Sequence, residues 1–285
     1  RQFQLTSAVI VKNQTMRNRL IAPGAQPAHV LISPSGADEQ RFQGATPASM
    51  PPRFLAVGRF VSKKGPLDTL EAFALLQGLT EHADACSLVM VGDGPLLSVV
   101  QDRARQLGLE HLVQFPGVLS PDAVAQEMRR ARVFVQHSRT AEDGDEEGCP
   151  VSVMEAQLCG LPVVATRHGG IPDVVVDQQT GRLVEEGDHR GMAEAMALLA
   201  DRQDLAGAWG GCRSTSDPGT IHREAPRGSD HHAAQRSGGP QTMSSQRLKL
   251  LLIRGLGHSG TTMLDLALGA HPQIIGLGEA ARILA

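Results

Sequence analysis

Short apolar runs alternate with stretches of helical length along most of the 285-residue chain. Several of the runs are continuous in Val, Leu and Phe, which is typical of strands buried on both faces of a parallel sheet. The stretches between them show helical spacing of apolar residues or, at Ser120 and Pro121, a helix start signal. This alternation predicts a doubly wound parallel α/β sheet. The predicted strands are 8–11, 30–32, 54–57, 88–91, 112–115, 133–135 and 162–165, and the predicted helices include 66–78, 96–107 and 121–130.

The composition of the chain indicates which binding partners and which cellular compartment to expect. Hydrophobic residues make up 41% of the chain but aromatic residues only 3%, so we expect an aliphatic core. With 30 acidic and 27 basic residues the net charge is -3, which favours neither a nucleic-acid partner nor an anionic membrane surface. The four cysteines lack metal-type spacing and indicate free thiols in the cytoplasm. No apolar run reaches the ~20 residues of a membrane span, and without an initial Met or signal peptide we expect a piece of a longer protein.

Two glycine-containing loops follow predicted strands, at the sheet edge where phosphates are bound in α/β proteins. The loop 58–65 carries Arg59 and Lys64, two cations that could clamp a diphosphate, although alone they are more typical of a solvated surface. The loop 92–95 begins like a dinucleotide-binding motif, but Leu97 stands where the third Gly is required. It therefore predicts a tight turn close to a ligand rather than a dehydrogenase site.

Two glutamates form the main candidate site. Glu147 lies in a predicted loop, and Glu155 lies in a helix that is expected to begin near Pro150, because proline suits the first helical position. The free N–H groups of Val151 and Ser152 would then face an anion, while Glu155 accepts hydrogen bonds from hydroxyl groups. The alternative, two ordinary surface acids, is weakened because apolar residues surround Glu155 in the sequence.

Together these motifs resemble the retaining glycosyltransferases of the group 1 superfamily (family four), which have two facing Rossmann-like domains, the GT-B type. The resemblance runs from about residue 7 to residue 203. The residues that match the family pattern are Glu147, Glu155, the segment 160–165, and the turns at 58–65, 92–95, 115–117 and 169–172.

The resemblance implies transfer of a hexosyl group from a nucleotide-diphosphate sugar to a glycan or lipid-linked acceptor, without a cofactor or metal. Polysaccharide or glycoconjugate biosynthesis would be its setting, and peripheral association with a membrane is left open. Arg59 and Lys64 would hold the donor diphosphate, Glu155 the ribose hydroxyls and Glu147 the transferred sugar. Arg59, Lys64 and Glu147 would thus be the catalytic residues, with stabilisation of the leaving group by fixed cations and a helix N-terminus.

Three neighbouring features have plainer interpretations. Pro150 departs from the common family pattern and cannot donate an N–H, so backbone contacts to phosphate would come from the two residues that follow it. The acidic stretch 142–147 is interpreted as a solvated loop in preference to a determinant of sugar choice. His137 and His168 flank the same face and are interpreted as structural rather than catalytic.

Residues 247–285 have a different pattern. A predicted strand, 249–254, leads through a glycine-rich turn into a helix, a geometry that offers N–H groups to phosphate. Thr261 replaces the Lys of an ATP-binding P-loop, so NTPase activity is not expected. The segment instead resembles the 5′-phosphate loop of sulfotransferases that use phosphoadenosine phosphosulfate. The residues of that loop would be Gly257, His258, Ser259, Gly260, Thr261 and Thr262.

Four parts are predicted along the chain. Residues 1–52 are the tail of the acceptor domain and a linker, 53–203 the sugar-nucleotide-binding domain, 204–246 a disordered linker, and 247–285 a truncated P-loop-like βα unit. A natural fusion and two joined genes both remain open as origins. Two alternatives to glycosyl transfer also remain: sulfuryl transfer by the last segment, or a donor-binding module that is inactive without its N-terminal domain.

Overall fold

The computed structural model describes residues 9–32 and 36–212. Their strands are β1 Val9–Val11, β2 Val30–Ile32, β3 Arg53–Val57, β4 Ser87–Val91, β5 Val113–Gly117, β6 Val133–Gln136, β7 Val163–Thr166 and β8 Gly181–Val184. Their α-helices are α1 Gln14–Ile21, α2 Pro66–Leu76, α3 Leu97–Gln106, α4 Pro121–Arg130, α5 Val151–Cys159, α6 His189–Asp201 and α7 Gln203–Gly211. None of these helices has the length and apolar character needed to cross a bilayer.

Six parallel strands form the main sheet, in the order β5-β4-β3-β6-β7-β8. The chain extends the sheet from β3 through β4 to β5, and then returns to the other side of β3 with β6. This reversal opens a crevice at the carboxyl ends of β3 and β6, which is where ligands bind in open α/β sheets. The predicted doubly wound parallel sheet is confirmed.

Alternation along β3 divides the core between the two faces of the sheet, since successive strand residues point in opposite directions. Phe54 packs in one cluster with residues of α2, α3, α6 and α7, where it meets Phe73 edge-to-face at 6.1 Å between ring centroids. Leu55 packs in the other cluster with residues of α4 and α5, such as Met128 and Val153. Both faces are therefore covered, as the continuous apolar strands predict.

The first described residues form a smaller unit, in which β1 and β2 pair in parallel and α1 lies between them in the chain. Asn13 caps α1 by accepting the Met16 N–H at 2.7 Å. The same side chain donates to the Gly148 carbonyl at 2.6 Å, and the backbone N–H of Gln14 donates to Asp173 at 2.9 Å. The small unit is thus hydrogen-bonded to the loops that follow β6 and β7.

Two features of the C-terminal part correct the sequence prediction. Strand β8 is absent from the predicted strands, and the predicted disordered linker 204–246 begins too early, because α7 occupies its first residues. Trp209 in α7 is only 8% exposed and packs in the core cluster, and Gly207 lies against Ala48. The three glycines of α7 lower its helix propensity, which explains the error. Residues 213–285, with the rest of the linker and the sulfotransferase-like segment, lie outside the described residues.

The packing of α7 predicts that Trp209→Ala lowers the unfolding free energy by about 3 kcal/mol, since it empties a buried site of indole size. Far-UV circular dichroism in urea is the suitable measurement, because Trp209 is the only tryptophan. Leu198→Ala on α6, which is 41% exposed, is the control and should cost much less. Equal stability of Trp209→Ala and the parent would contradict the placement of α7 in this domain.

Candidate functional site

The loops after β3 and β6 bring two of the predicted residues into contact. Lys64 ends a short 3-10 turn after β3, and its Nζ lies 2.7 Å from Oε2 of Glu147, in the loop after β6. The two side chains are 17% and 14% exposed, so the ion pair is largely shielded from solvent. Oε2 of Glu147 is buried against the Lys64 ammonium.

Arg59, in contrast, is exposed and makes no ion pair or side-chain hydrogen bond within residues 9–32 and 36–212. It borders an open cleft of about 420 Å³ whose walls include Gly58, Asp93, Gly94 and Val118. The side chain of Val118 is 75% exposed at the rim of this cleft. Arg59 thus lines this cleft and also a smaller pocket that it shares with Lys64.

The glycine turn after β4 forms one wall of this cleft. Gly92 has φ +139°, and a Cβ at this position would lie 2.0 Å from the carbonyl oxygen of Gly58. Glycine is thus required there for the loops after β3 and β4 to touch. The hydrogen-bonded turn lies at 94–97, two residues later than the turn predicted at 92–95, and its proximity to a ligand stays a prediction.

Helix α5 begins one residue later than predicted. Pro150 is extended (ψ 120°) and serves as the N-cap, so that Val151 is the first helical residue. The N–H groups of Val151 and Ser152 have no acceptor among the described residues, as expected for the first turn of a helix. The Ser152 hydroxyl donates to Gln136 at 3.2 Å and is not free for a ligand.

Glu155 lies one turn into α5 and is half-buried. It makes no side-chain hydrogen bond within the described ranges. Burial raises the pKa of its carboxyl group, and the charge of Arg41 offsets this only in part. An unpaired carboxylate in this position destabilises the domain unless a ligand supplies donors.

The acidic stretch 142–147 is more constrained than a solvated loop. Asp145 pairs with Lys63 at 2.9 Å, and Glu146 forms a two-pronged contact with Arg19 of α1. The hydrogen bond from Arg19 lowers the pKa of Glu146. The interpretation of a freely solvated loop is therefore wrong for these two acids, since contacts with other segments hold them.

His137 is fully buried, and its Nε2 accepts the Gly187 N–H at 2.8 Å. Burial lowers the pKa of His137 to about 4, so it is neutral at pH 7 and carries its proton on Nδ1. With Asp68 and His189 it forms the one group in the described part of the chain with metal-type spacing. The proton on Nδ1 opposes metal binding, because a ligating nitrogen must present a lone pair.

His168 is also buried, at 3% exposure. Its Nε2 accepts the backbone N–H of Glu147 at 2.9 Å, and its Nδ1 lies 2.5 Å from Oε1 of Glu186. Sequence reasoning did not find the partners of either histidine, nor the contact of Asn13 with Gly148, since each joins residues far apart in the chain. The predicted phosphate loop Gly257–Thr262 lies outside the described residues.

Comparison with known proteins shows which family the chain belongs to. Residues 37–210, more than half of the chain, match the family model of glycosyl transferases group 1. The chain is 35% identical over 193 residues to the putative colanic acid biosynthesis glycosyltransferase WcaL of Escherichia coli K12, covering 66% of this chain and 47% of that protein. It is 30% identical over 216 residues to a GDP-mannose-dependent α-(1-6)-phosphatidylinositol monomannoside mannosyltransferase of Mycobacterium tuberculosis, covering 72% and 55%.

A solved structure shares the fold. The crystal structure of Anabaena Alr3699/HepE in complex with UDP and glucose superposes with a TM-score of 0.61 at 20% identity, over 72% of this chain and 56% of that one. The chain spans about half the length of the curated relatives it matches. On the extent of the family match, this chain belongs to the group 1 glycosyl transferases.

Proposed function

We propose that this chain binds a nucleotide-diphosphate sugar and forms the donor half of an enzyme that transfers a hexosyl group to a glycan or lipid-linked acceptor. The observation that carries the proposal is that Arg59 and Lys64 line one pocket with Gln136, while Lys64 pairs with Glu147 and Gln136 accepts a hydrogen bond from the Ser152 hydroxyl of the first turn of α5. The curated relatives named above act in polysaccharide and glycolipid synthesis, which supports the same role here. A cytoplasmic location remains part of the proposal.

The charges of the crevice fit a diphosphate. Arg59 presents a planar guanidinium without a partner among residues 9–32 and 36–212, and such a group binds phosphate oxygens in pairs. The unpaired N–H groups of Val151 and Ser152 add the positive end of a helix dipole. These groups would stabilise the negative charge that develops on the departing nucleotide, without a metal ion.

The cleft beside Arg59 fits the nucleoside. Its volume of about 420 Å³ lies in the range of small-ligand sites, and its walls of backbone and Val side chains suit a flat aromatic base. Glu155, with its unpaired carboxylate, is the proposed acceptor for the two ribose hydroxyls. Binding the ribose would supply the hydrogen bonds that this half-buried carboxylate lacks.

Glu147 is proposed to contact the sugar. Lys64 neutralises its charge, since the Lys64 Nζ lies 2.7 Å from Oε2. A sugar hydroxyl that donates to this carboxylate would form a charge-assisted hydrogen bond beside the Lys64 ammonium. Which sugar is transferred depends on contacts that a bound donor would make.

Sulfuryl transfer is the second candidate, and it rests on the sequence of residues 257–262 alone. Calorimetric titration separates the two candidates. The proposed function predicts that the chain binds UDP or GDP. It does not depend on whether the chain binds adenosine 3′,5′-bisphosphate. Binding of adenosine 3′,5′-bisphosphate alone would reject glycosyl transfer as the principal activity.

Arg59→Ala and Glu155→Ala should each weaken binding of the nucleoside diphosphate by about 1–3 kcal/mol, the range for loss of a charge-assisted hydrogen bond. Isothermal titration calorimetry with UDP and GDP checks this. Arg105→Ala, which removes an exposed arginine of α3, is the control and should leave affinity unchanged. Unchanged affinity in both site variants, with the fold intact, would reject the assignment.

Glu155→Gln should stabilise the ligand-free domain at pH 7. The pKa of Glu155 is raised in the folded state, so its ionisation costs stability as pH rises from the unfolded pKa through the folded one. Glutamine removes that cost, and the advantage should disappear as pH falls below the unfolded pKa of the acid. Urea midpoints measured between pH 4 and pH 8 provide the test, and an advantage that is independent of pH would contradict it.

Lys64→Met should lower the unfolding free energy by about 1–3 kcal/mol, because it leaves the shielded Glu147 carboxylate without its counter-charge. Adding Glu147→Gln to this variant should restore most of the loss. The matched control is Lys63→Met, which removes the adjacent and more exposed pair with Asp145 and should cost less than about 1 kcal/mol. Additive losses in the double variant, measured by urea unfolding, would mean that the two charges are not coupled.

A further inference from the structure

We propose that His168 is a positioning residue for Glu147, and that Glu186 sets the tautomer in which His168 acts. The inference rests on the proposed function, since it assigns Glu147 to the donor sugar. It concerns the peptide of Glu147 rather than its carboxylate. A histidine that only filled space would not need both ring nitrogens engaged by specific partners.

The tautomer follows from the two contacts of the ring. Nε2 lies 2.9 Å from the Glu147 nitrogen, whose N–H can only donate, so Nε2 must present a lone pair. The proton of the neutral ring is then on Nδ1, where it is donated to Oε1 of Glu186 at 2.5 Å. The opposite tautomer would set two N–H groups against each other in a buried site. The two contacts therefore give the ring one orientation and one tautomer.

Glu186 is fixed for this task by a second contact. Its Oε2 accepts the backbone N–H of Thr140 at 2.9 Å, so the carboxylate joins the loop after β6 to the loop after β7. Although burial acts to raise the pKa of Glu186, the hydrogen bonds from His168 and Thr140 lower it overall. The carboxylate thus stays ionised and keeps the Nδ1 proton in place.

The residues after His168 contact the next two peptides of the same segment. Gly170 donates its N–H to the Gly148 carbonyl at 2.6 Å. Gly169 has φ +54°, and a Cβ there would lie 1.9 Å from the Glu147 carbonyl oxygen. The loop 168–170 therefore follows the backbone of residues 147–148 at contact distance. Within this loop, the imidazole of His168 is the side chain that hydrogen-bonds to Glu147.

The contact between His168 and Glu147 should affect only the sugar part of the nucleotide sugar. The groups proposed for the base, ribose and diphosphate belong to the loops after β3 and β4 and to α5, whereas His168 contacts the peptide of Glu147. Loss of the Nε2 acceptor leaves a part-buried N–H unsatisfied and frees the Glu147 peptide to shift. The loss should reduce affinity for the sugar and leave affinity for the nucleoside diphosphate nearly intact.

The test compares His168→Leu, which removes the acceptor, with His168→Gln, whose Oε1 can still accept the Glu147 N–H. Calorimetry is carried out with UDP, UDP-glucose, GDP and GDP-mannose. For the pair whose nucleotide binds, His168→Leu should lower the affinity for the nucleotide sugar about tenfold, as expected for one lost buried hydrogen bond, with the nucleotide changed less than about twofold. His168→Gln should restore the affinity for the nucleotide sugar.

His111→Leu is the control, since His111 is exposed on the same domain. Glu186→Ala keeps the inference testable if His168→Leu does not fold, and it should give a smaller loss in the same direction. Equal losses for nucleotide and nucleotide sugar, or failure of His168→Gln to restore the difference, would overturn the positioning role.

Hydrogen exchange of the Glu147 amide separates this inference from the proposed function. The amide should be protected in the parent chain and in His168→Gln, and should exchange at least about tenfold faster in His168→Leu. Failure of the parent chain to bind either nucleotide would reject the proposed function, while amide exchange would still decide whether His168 holds Glu147. Equal exchange in all three proteins would overturn the inference.

Discussion

The parallel pairing of β3 with β6 is the contact on which the site depends. Phe54 and Leu55 stand opposite Val133 and Phe134 in this pairing, although about 80 residues separate the strands in the chain. Because parallel strands end at the same sheet edge, the pairing brings the loop with Lys64 against the loop with Glu147. The two core clusters on either side of the sheet hold that alignment, so that packing far from the crevice determines its geometry.

The charges of the predicted site residues are only partly compensated within the described part of the chain. Lys64 neutralises Glu147, but Arg59 has no internal partner there, and Glu155 is half-buried without a hydrogen bond. Such groups lower the stability of an empty domain and are typical of sites whose missing partners come from a ligand. The two buried histidines differ from them, because each has an Nε2 that accepts a specific backbone N–H.

Much of the fold was predictable because burial on both faces of a sheet leaves a continuous apolar signal. Strand β2 and helix α4 match their predicted bounds, and most other elements differ from prediction by one or two residues. Strand β8 was missed because its first two residues are glycine and arginine, which leaves only two apolar residues in a row. Helix α7 was missed because its glycines suit contacts with Ala48 and with the end of α5, and contacts of this kind override local propensity.

The sequence by itself determined the fold class, the glutamate pair and the cationic loop, because apolar periodicity and short motifs are local properties of a chain. Family membership follows from the same sequence and the length of the match. Only the tertiary structure decided that Lys64 neutralises Glu147, that Pro150 precedes the helix rather than beginning it, and that His168 holds the Glu147 peptide. These are contacts and dihedral angles set by packing between segments distant in the chain, and no local pattern encodes their geometry.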